Sequence, residues 1–333
     1  MRRLLALLVL VVAVTVGVVA WHHYHKAGPT TPTSVATTTT RPPNAPLTGL
    51  PDPAGQALTR PALTIKVENT PDALPQWGID RADVVYEEIV NGGITRLAAI
   101  FNSQAPAKVG PVRSVRPTDT SIVWPLGGIF AYSGGAPYAV ASISRAPVKL
   151  LDETTAGAAM YRDPHRFAPH NLYASAGALF AFKGTPTPPS PLFDYGTDVF
   201  GAGTKVVHRF TVEFPSLYPV TWTWNTTTLS WDRTLFGHPI ITGTGVRVSP
   251  KNVVVMYVNY VNGVGAFTSY ADLNSGGVVK VFIDGHQITG TWSRGPSQSD
   301  VIAYHTKTGA VINLTPGQTW VELLDDGAAV PTS

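Results

Sequence analysis

The chain has 333 residues, with 24 Lys and Arg against 21 Asp and Glu, nine His and no Cys. Without Cys there is no disulfide framework, no thiolate-ligated zinc or iron–sulfur site, no catalytic thiol and no lipid attached at a cysteine. Hydrophobic content of 44% with 14% charged residues fits a core-forming protein, and 31 Gly with 29 Pro predict many turns and few long helices.

Arg2 and Arg3 precede an apolar run, Leu4 to Ala20, broken only by Thr15 and Gly17. Such a run reaches the lower limit for a spanning helix and exceeds the ~7–15 residues of a typical signal core. Residues 1–26 are therefore expected to form a signal anchor, single-pass, with the body outside the cytoplasm and Trp21 and Tyr24 at the outer interface. Val18 and Ala20 also satisfy a cleavage pattern, so a secreted form is the alternative. His22, His23 and His25 read as the polar flank of the span rather than a metal cluster. Residues 27–46, rich in Thr and Pro, read as a disordered spacer and residues 326–333 as a tail. The net charge of +3 belongs to this amino-terminal region: Arg2, Arg3, Lys26 and Arg41 lie in it, and the body carries 20 basic against 21 acidic residues. No recognition helix, zinc finger or RNA-binding sheet signature is present, which excludes a nucleic-acid partner.

From 47 to 193 strand-like and helix-like segments alternate. Ala62–Glu68, Asp83–Val90 and Ile94–Phe101 read as strands, the last two joined by Asn91-Gly92-Gly93, a hairpin signal. Pro117–Trp124 is a short helix with Pro at its first position, Ile129–Tyr132 a strand, and Ala136–Ser144 and Ala174–Phe182 helices. Gly184–Pro191 marks a boundary. From 200 to 325 the pattern is almost purely β: Val206–Phe214, Val220–Trp224, Leu229–Asp232, Asn252–Val261, Val278–Ile283, Gln287–Trp292, Val301–His305 and Thr319–Leu324. The fold class expected is α+β, a mixed α/β sheet domain followed by a mostly antiparallel β-domain of sandwich or barrel type.

Five segments are denser in Gly, Pro, Arg and amide residues than folding alone requires: Val67-Glu68-Asn69 with Pro75-Gln76; Asp83–Glu88; Asn91–Arg96; Gly110–Pro117; and Tyr161–Asn171. Ser133-Gly134-Gly135 lies among them. These segments resemble the YerB-like family of bacterial extracytoplasmic lipoproteins, a two-domain family of unknown function. Gly110–Pro117 and Ala168–Asn171 carry the resemblance in the first half, Gly290-Thr-Trp292 and Pro316–Trp320 in the second. It implies a two-domain envelope protein and brings no established activity. The chain departs from the family at Asn91, Leu74 and Tyr132, where Glu, Arg and His are common, and in lacking the lipidated Cys, which the apolar anchor replaces.

Arg96, Arg113, Arg116, Arg162 and Arg166 are expected to converge on a phosphate or carboxylate, for which a planar guanidinium is suited. Gly92, Gly93, Gly134 and Gly135 would let backbone N–H groups approach the anion. Asn69, Gln76, Ser114 and Asn171 supply further polar contacts. The competing reading pairs each Arg with Asp83, Glu87, Asp119 or Asp163 to brace loops. Glu87 and Glu88 are adjacent in a strand and point to opposite faces, so they form no carboxylate pair. For an enzyme, a hydrolase or transferase on phosphate-bearing or glycan substrates, the candidate catalytic groups are Glu68, Glu87 and His170. A non-catalytic envelope scaffold is the remaining alternative. No metal site and no cofactor are implied, and a protein partner is unknown. Trp222, Trp224, Trp231, Trp292 and Trp320 are either a carbohydrate-stacking surface or core.

Overall fold

The computed structural model describes residues 43–196, 204–215 and 218–333. The expected anchor (1–26) and the expected spacer up to residue 42 lie outside the described residues. Residues 43–46 belong to the fold: Ala45 is buried and its N–H donates to Leu50 O. Among the described residues no helix is long and apolar enough to cross a membrane.

Short runs rich in β-branched residues form β1 (Leu63–Glu68), β2 (Val84–Ile89) and β3 (Thr95–Phe101), antiparallel neighbours in the order β2-β3-β1. The turn between β2 and β3 needs its glycines, since Gly92 and Gly93 take φ of +79° and +75°. β4 (Ile129–Ala131) and β5 (Lys149–Leu151) add parallel to β1, reached through α1 (Pro117–Val123) and α2 (Pro137–Ile143). Each of these helices starts on a proline, whose missing N–H is an unpaired group at that position anyway. The hairpin β6 (Met160–Arg162) and β7 (Leu172–Ala174) follows, then α3 (Ala176–Phe180), capped by Ser175 Oγ accepting from the Ala178 N–H.

The second half is all β. In chain order its strands are β8 (Thr204–Val206), β9 (Arg209–Phe214), β10 (Tyr218–Asn225), β11 (Ser230–Leu235), β12 (His238–Pro239) and β13 (Asn252–Val258). Then come β14 (Tyr260–Val261), β15 (Tyr270–Ala271), β16 (Gly276–Ile283), β17 (His286–Ser293), β18 (Ala303–Thr306) and β19 (Thr319–Asp325). They do not form a sandwich or barrel of their own. β13 and β16–β19 join the strands of the first half in one eleven-stranded sheet, ordered β18-β17-β16-β13-β19-β2-β3-β1-β4-β5 with β8 beside β17. β19 lies between β13 and β2, parallel to both. Residues 319–324 are all buried, as a strand covered on both faces must be, and their apolar run alone cannot say which sheet takes them. Gln318 fastens the junction, its Nε2 donating to Ile79 O at 2.9 Å and Ala82 O at 2.7 Å.

β9–β12 form a four-stranded antiparallel sheet that packs on the large one. Trp222 and Trp320 meet edge to face at 5.5 Å, and Phe210 stacks on Phe282 at 3.5 Å. Trp222, Trp231, Trp292 and Trp320 are fully buried and Trp224 packs on Trp231, so these residues are core and no sugar platform. α1 and α2 cover part of the opposite face with a smaller core of Val115, Val123, Phe130, Ala139 and Ile143. The protein is thus mostly β, with a mixed sheet and a few short helices.

Candidate anion-binding site

Alternation in β1 puts Lys66 and Glu68 on one face of the large sheet, and the register sets Arg96 beside both Glu68 and Glu88 on that face. The polar face of β1 is not solvated, because α1 and its flanking loops cover it. Lys66, with no exposure, pairs with Glu88 and, at 2.8 Å, with Asp119 of α1. Asp119 also accepts the Arg116 N–H at 2.6 Å, which closes the first turn of α1 and fixes where Arg116 stands. Burial, opposed by Lys66, pushes the Asp119 carboxyl up to about 6.

Glu68 takes two partners from loops: Arg113 Nε lies 3.3 Å from Oε1 and His170 Nδ1 lies 2.9 Å from Oε2. The Gly110–Pro117 stretch runs along the end of β1, with the Glu68 N–H donating to Pro111 O and the Arg113 N–H to Lys66 O. Gly110 permits this approach: at φ +143° a Cβ would sit 2.9 Å from Leu172 O and from Val112 N. The stretch is tied on its other side to the glycine turn after β4 by Ser133 N–H to Arg113 O and Val115 N–H to Gly134 O.

Arg96, Arg113 and Arg116 therefore converge at the carboxyl ends of β1, β2 and β4, the edge where ligands of open sheets with parallel strands bind. Arg96 is 6% exposed, and its Nη1 donates to Ser114 O at 3.2 Å while its Nε meets no acceptor among the described residues. Burial, then the charges of Arg116 and Arg113, push its pKa down to about 9. Burial lowers Arg116 as well. Its Nε donates to Asn91 Oδ1 at 3.1 Å and its Nη1 to Val115 O at 2.9 Å. Neither Arg96 nor Arg116 joins an ion pair among the described residues. Four cations (Lys66, Arg96, Arg113, Arg116) thus face three carboxylates (Glu68, Glu88, Asp119). Gly134 and Gly135 lie exposed beside them, their N–H groups without a partner among the described residues.

Glu87, Asn69 and Gln76 are on the other face, inside the contact between the two sheets. Glu87 accepts from Asn69 Nδ2 at 2.9 Å, Thr95 Oγ1 at 2.7 Å and Arg233 Nη2 at 2.7 Å. Gln76 Nε2 donates to Asn69 Oδ1 at 2.9 Å. All are fully buried, so the sheet separates them from Glu68, and Glu87 has no route to a ligand there. Glu322, beside Glu87 in the sheet register, accepts from Trp222 Nε1 at 2.9 Å; burial, then the Glu87 charge, raises its pKa well above the usual range.

Arg162 makes a two-point bridge to Glu153 at 2.8 and 2.7 Å and bonds Asn171 Oδ1 at 2.8 Å, so Arg162 and Asn171 brace the β6–β7 hairpin. Arg166 donates to the carbonyls of Asp72 and Leu74 and, with Asp72, His165, Phe167 and His170, lines a cavity of about 380 Å³. His170 joins this cavity to the cluster through Glu68. Gly92 and Gly93 form the β2–β3 turn, and the Gly92 N–H donates to Gly265 O at 2.9 Å. A larger cleft of about 610 Å³ near Trp77 and Arg81 holds none of the expected residues, and Lys108 already sits 4.4 Å from the Trp77 ring centre. Among the described residues no three His, Asp or Glu side chains form a set that could hold a metal ion.

None of the five arginines pairs with the side chains of Asp83, Glu87, Asp119 or Asp163, whose partners are Ser103, Arg233, Lys66 and Lys108. Sequence reasoning missed Lys66, Glu88 and Asp119 as members of the cluster, and Arg233 and Glu322 on the opposite face. A lone charge inside an apolar strand, as in Ile65-Lys66-Val67 and Val321-Glu322-Leu323, was the available signal.

The DUF3048 N-terminal domain, of unknown function, matches residues 47–185, and the DUF3048 C-terminal domain matches residues 210–321. YerB of Bacillus subtilis (strain 168), a protein named as a lipoprotein, is 36% identical over 132 residues, which is 39% of this chain and 40% of the length of that relative. A crystal structure of YerB from Bacillus subtilis matches with a TM-score of 0.74 at 25% identity, covering 87% of this chain and 99% of that one. With both halves matched in sequence and one fold running through them, the chain belongs to the YerB-like family.

Proposed function

We propose that the chain is a membrane-associated extracytoplasmic protein that binds an anionic envelope ligand, a phosphate- or carboxylate-bearing glycan or lipid-linked intermediate, through Arg96, Arg113 and Arg116. One observation carries this reading: three guanidinium groups are pressed together, one of them almost wholly buried, with fewer carboxylates than cations around them. An anion between Arg113 and Arg116 would relieve the repulsion that lowers Arg96 and could take up N–H groups that have no protein acceptor. The location is supported by the apolar run from Leu4 to Ala20 and by the description of YerB as a lipoprotein. In this Cys-free chain the apolar run would serve as a single-pass anchor.

The test is calorimetric titration of the full-length chain, in neutral detergent, with inorganic pyrophosphate. Arg113→Gln and Arg116→Gln should each weaken binding about tenfold or more, as expected for hydrogen bonds to charged groups worth ~1.5–3 kcal/mol. Absence of binding at millimolar pyrophosphate, or variants equal to wild type, defeats the reading.

A hydrolase or transferase is favoured by one further observation. Glu68 holds His170 by Nδ1, and Nε2 lies 4.0 Å from Asp72 Oδ2, which lines the same cavity, the arrangement of a positioned general base. That reading requires a substrate whose turnover is lost in His170→Ala while pyrophosphate binding survives.

A further inference from the structure

We infer that the ligand of the arginine cluster is an amphiphile, a lipid phosphate whose headgroup meets Arg113 and Arg116 and whose chain lies on Val264 and Phe267. The inference rests on the anion-binding reading above and adds what the rim of the site shows.

The rim next to Arg116 comes from the second half of the chain. The loop between β14 and β15, together with β15, is fastened at three points to segments that flank the cluster. The Gly92 N–H donates to Gly265 O at 2.9 Å, the Ala271 N–H donates to Thr118 Oγ1 at 3.1 Å, and the Tyr138 hydroxyl donates to Phe267 O. Asn91, the residue before Gly92, is the one that holds Arg116 Nε. Tyr138 also lies close enough to Arg116 to act on its charge. Arg116, the glycine turn, the loop and Tyr138 thus form a closed ring of contacts around one side of the site.

A loop so firmly held has no evident reason to leave apolar side chains in water. Yet Phe267 is 65% exposed and Val264 is 37% exposed, and the Phe267 ring meets that of Tyr138 at 5.5 Å, edge on. Asn252 to Ala271 contains no charged residue. Gly134, Gly135 and Pro137, which lead up to Tyr138 in the chain, are likewise exposed and uncharged. A polyanionic polymer would ask for further cations along this rim, and a glycan for amide and carboxylate groups around its hydroxyls. An excess of one positive charge with an apolar lip instead complements a single phosphate headgroup carrying hydrocarbon.

The experiment compares three soluble probes on the full-length chain in neutral detergent: dihexanoyl phosphatidic acid, its headgroup analogue glycerol 3-phosphate, and dihexanoyl phosphatidylcholine. Wild type should bind the phosphatidic acid at least about tenfold more tightly than glycerol 3-phosphate, and the phosphatidylcholine not at all. Val264→Ser with Phe267→Ser should abolish that preference and leave glycerol 3-phosphate binding in place. Val264→Ser alone, the milder change, should reduce the preference, and a thermal melt checks that both variants fold. Equal affinity for the two phosphates in wild type, or a preference unchanged in the folded double variant, overturns the lipid inference while the anion site stands. If neither glycerol 3-phosphate nor pyrophosphate binds, the anion site itself fails and the inference with it.

Discussion

Replacing Arg233 by Met tests whether the second charge cluster is a dry, closed ion pair between the two sheets. Arg233 has no exposure, its Nη2 lies 2.7 Å from Glu87 Oε2, and its guanidinium sits 4.8 Å from the Trp320 ring centre. Removing it leaves Glu87 with only neutral donors and Glu322 beside it in the same unhydrated layer. Breaking a buried pair from one side costs ~3–5 kcal/mol, because the remaining charge is uncompensated. At ~2–4 °C per kcal/mol for a folded unit of this size, the melting temperature should fall by roughly 6–20 °C. The pH dependence has a definite sign. Glu322 is raised above its unfolded value and Arg233 is what restrains it, so the variant raises it further. An acid whose folded pKa is raised loses stability as pH climbs from its unfolded pKa toward the folded one. The deficit should therefore be larger at pH 8 than at pH 5, measured by urea unfolding at both. Adding Glu87→Gln should recover part of the loss, and pyrophosphate binding should not change. A deficit under about 1 kcal/mol at pH 8, or one indifferent to pH, would refute the picture of a dry pair.

Gly110→Ala should destabilise by ~2–4 kcal/mol in urea unfolding, since φ of +143° and the close Leu172 O leave no room for a methyl group; a neutral outcome would mean the stretch can shift off β7. Glu68→Gln removes one carboxylate from the cluster and should tighten pyrophosphate binding several-fold in the same titration, whereas weaker binding would show that Glu68 matters more as the support of Arg113. Asp83, fully buried, is pushed by that burial from 3.8 to about 6 despite its bonds to Ser103 and Asn102. Its folded pKa is raised, so stability should fall as pH rises from about 4 to about 6, by at most ~3 kcal/mol for a shift of about two units. Asp83→Asn should flatten that part of the urea-midpoint profile, and an unchanged slope would assign it elsewhere.

Much of the first half is legible because its signals are local. Asn91-Gly92-Gly93 announces its turn, Pro117 and Pro137 open their helices where expected, and β1 to β4 lie within a residue or two of the apolar runs that predict them. The insertion of β19 between β13 and β2 is not local: Thr319–Leu324 reads as a buried strand, but its neighbours lie some 65 and 235 residues back in the chain, and no periodicity encodes such pairing. In the site, Arg96, Arg113, Arg116, Gly134 and Gly135 are named by the sequence and brought together by the fold. Asn69 stands next to Glu68 in the sequence, but neighbours in an extended chain point to opposite faces, and the fold sends them to different clusters. Lys66 does not stand out in the sequence, because polar residues at alternate strand positions ordinarily meet water; here α1 brings Asp119 to that face instead.

The two buried charge clusters sit back to back on one sheet, and their different construction bears on which one the proposed anion would meet. On the inner side Arg233 and Glu87 are enclosed by tryptophans and by a second sheet, an arrangement that binds the halves of the chain and admits nothing. On the other side the deepest charges serve as supports. Lys66 holds Asp119, Asp119 sets the first turn of α1 and with it Arg116, and Glu68 sets both Arg113 and His170. A buried salt bridge is weak evidence for stability, because desolvation offsets most of the Coulomb gain. Its more reliable effect is to fix direction, since charged partners in a dry site accept few alternative geometries. A row of such pairs beneath Arg96 and Arg116, which have no carboxylate of their own among the described residues, is the construction that the proposed anion site would need to be held ready for a charge arriving from outside.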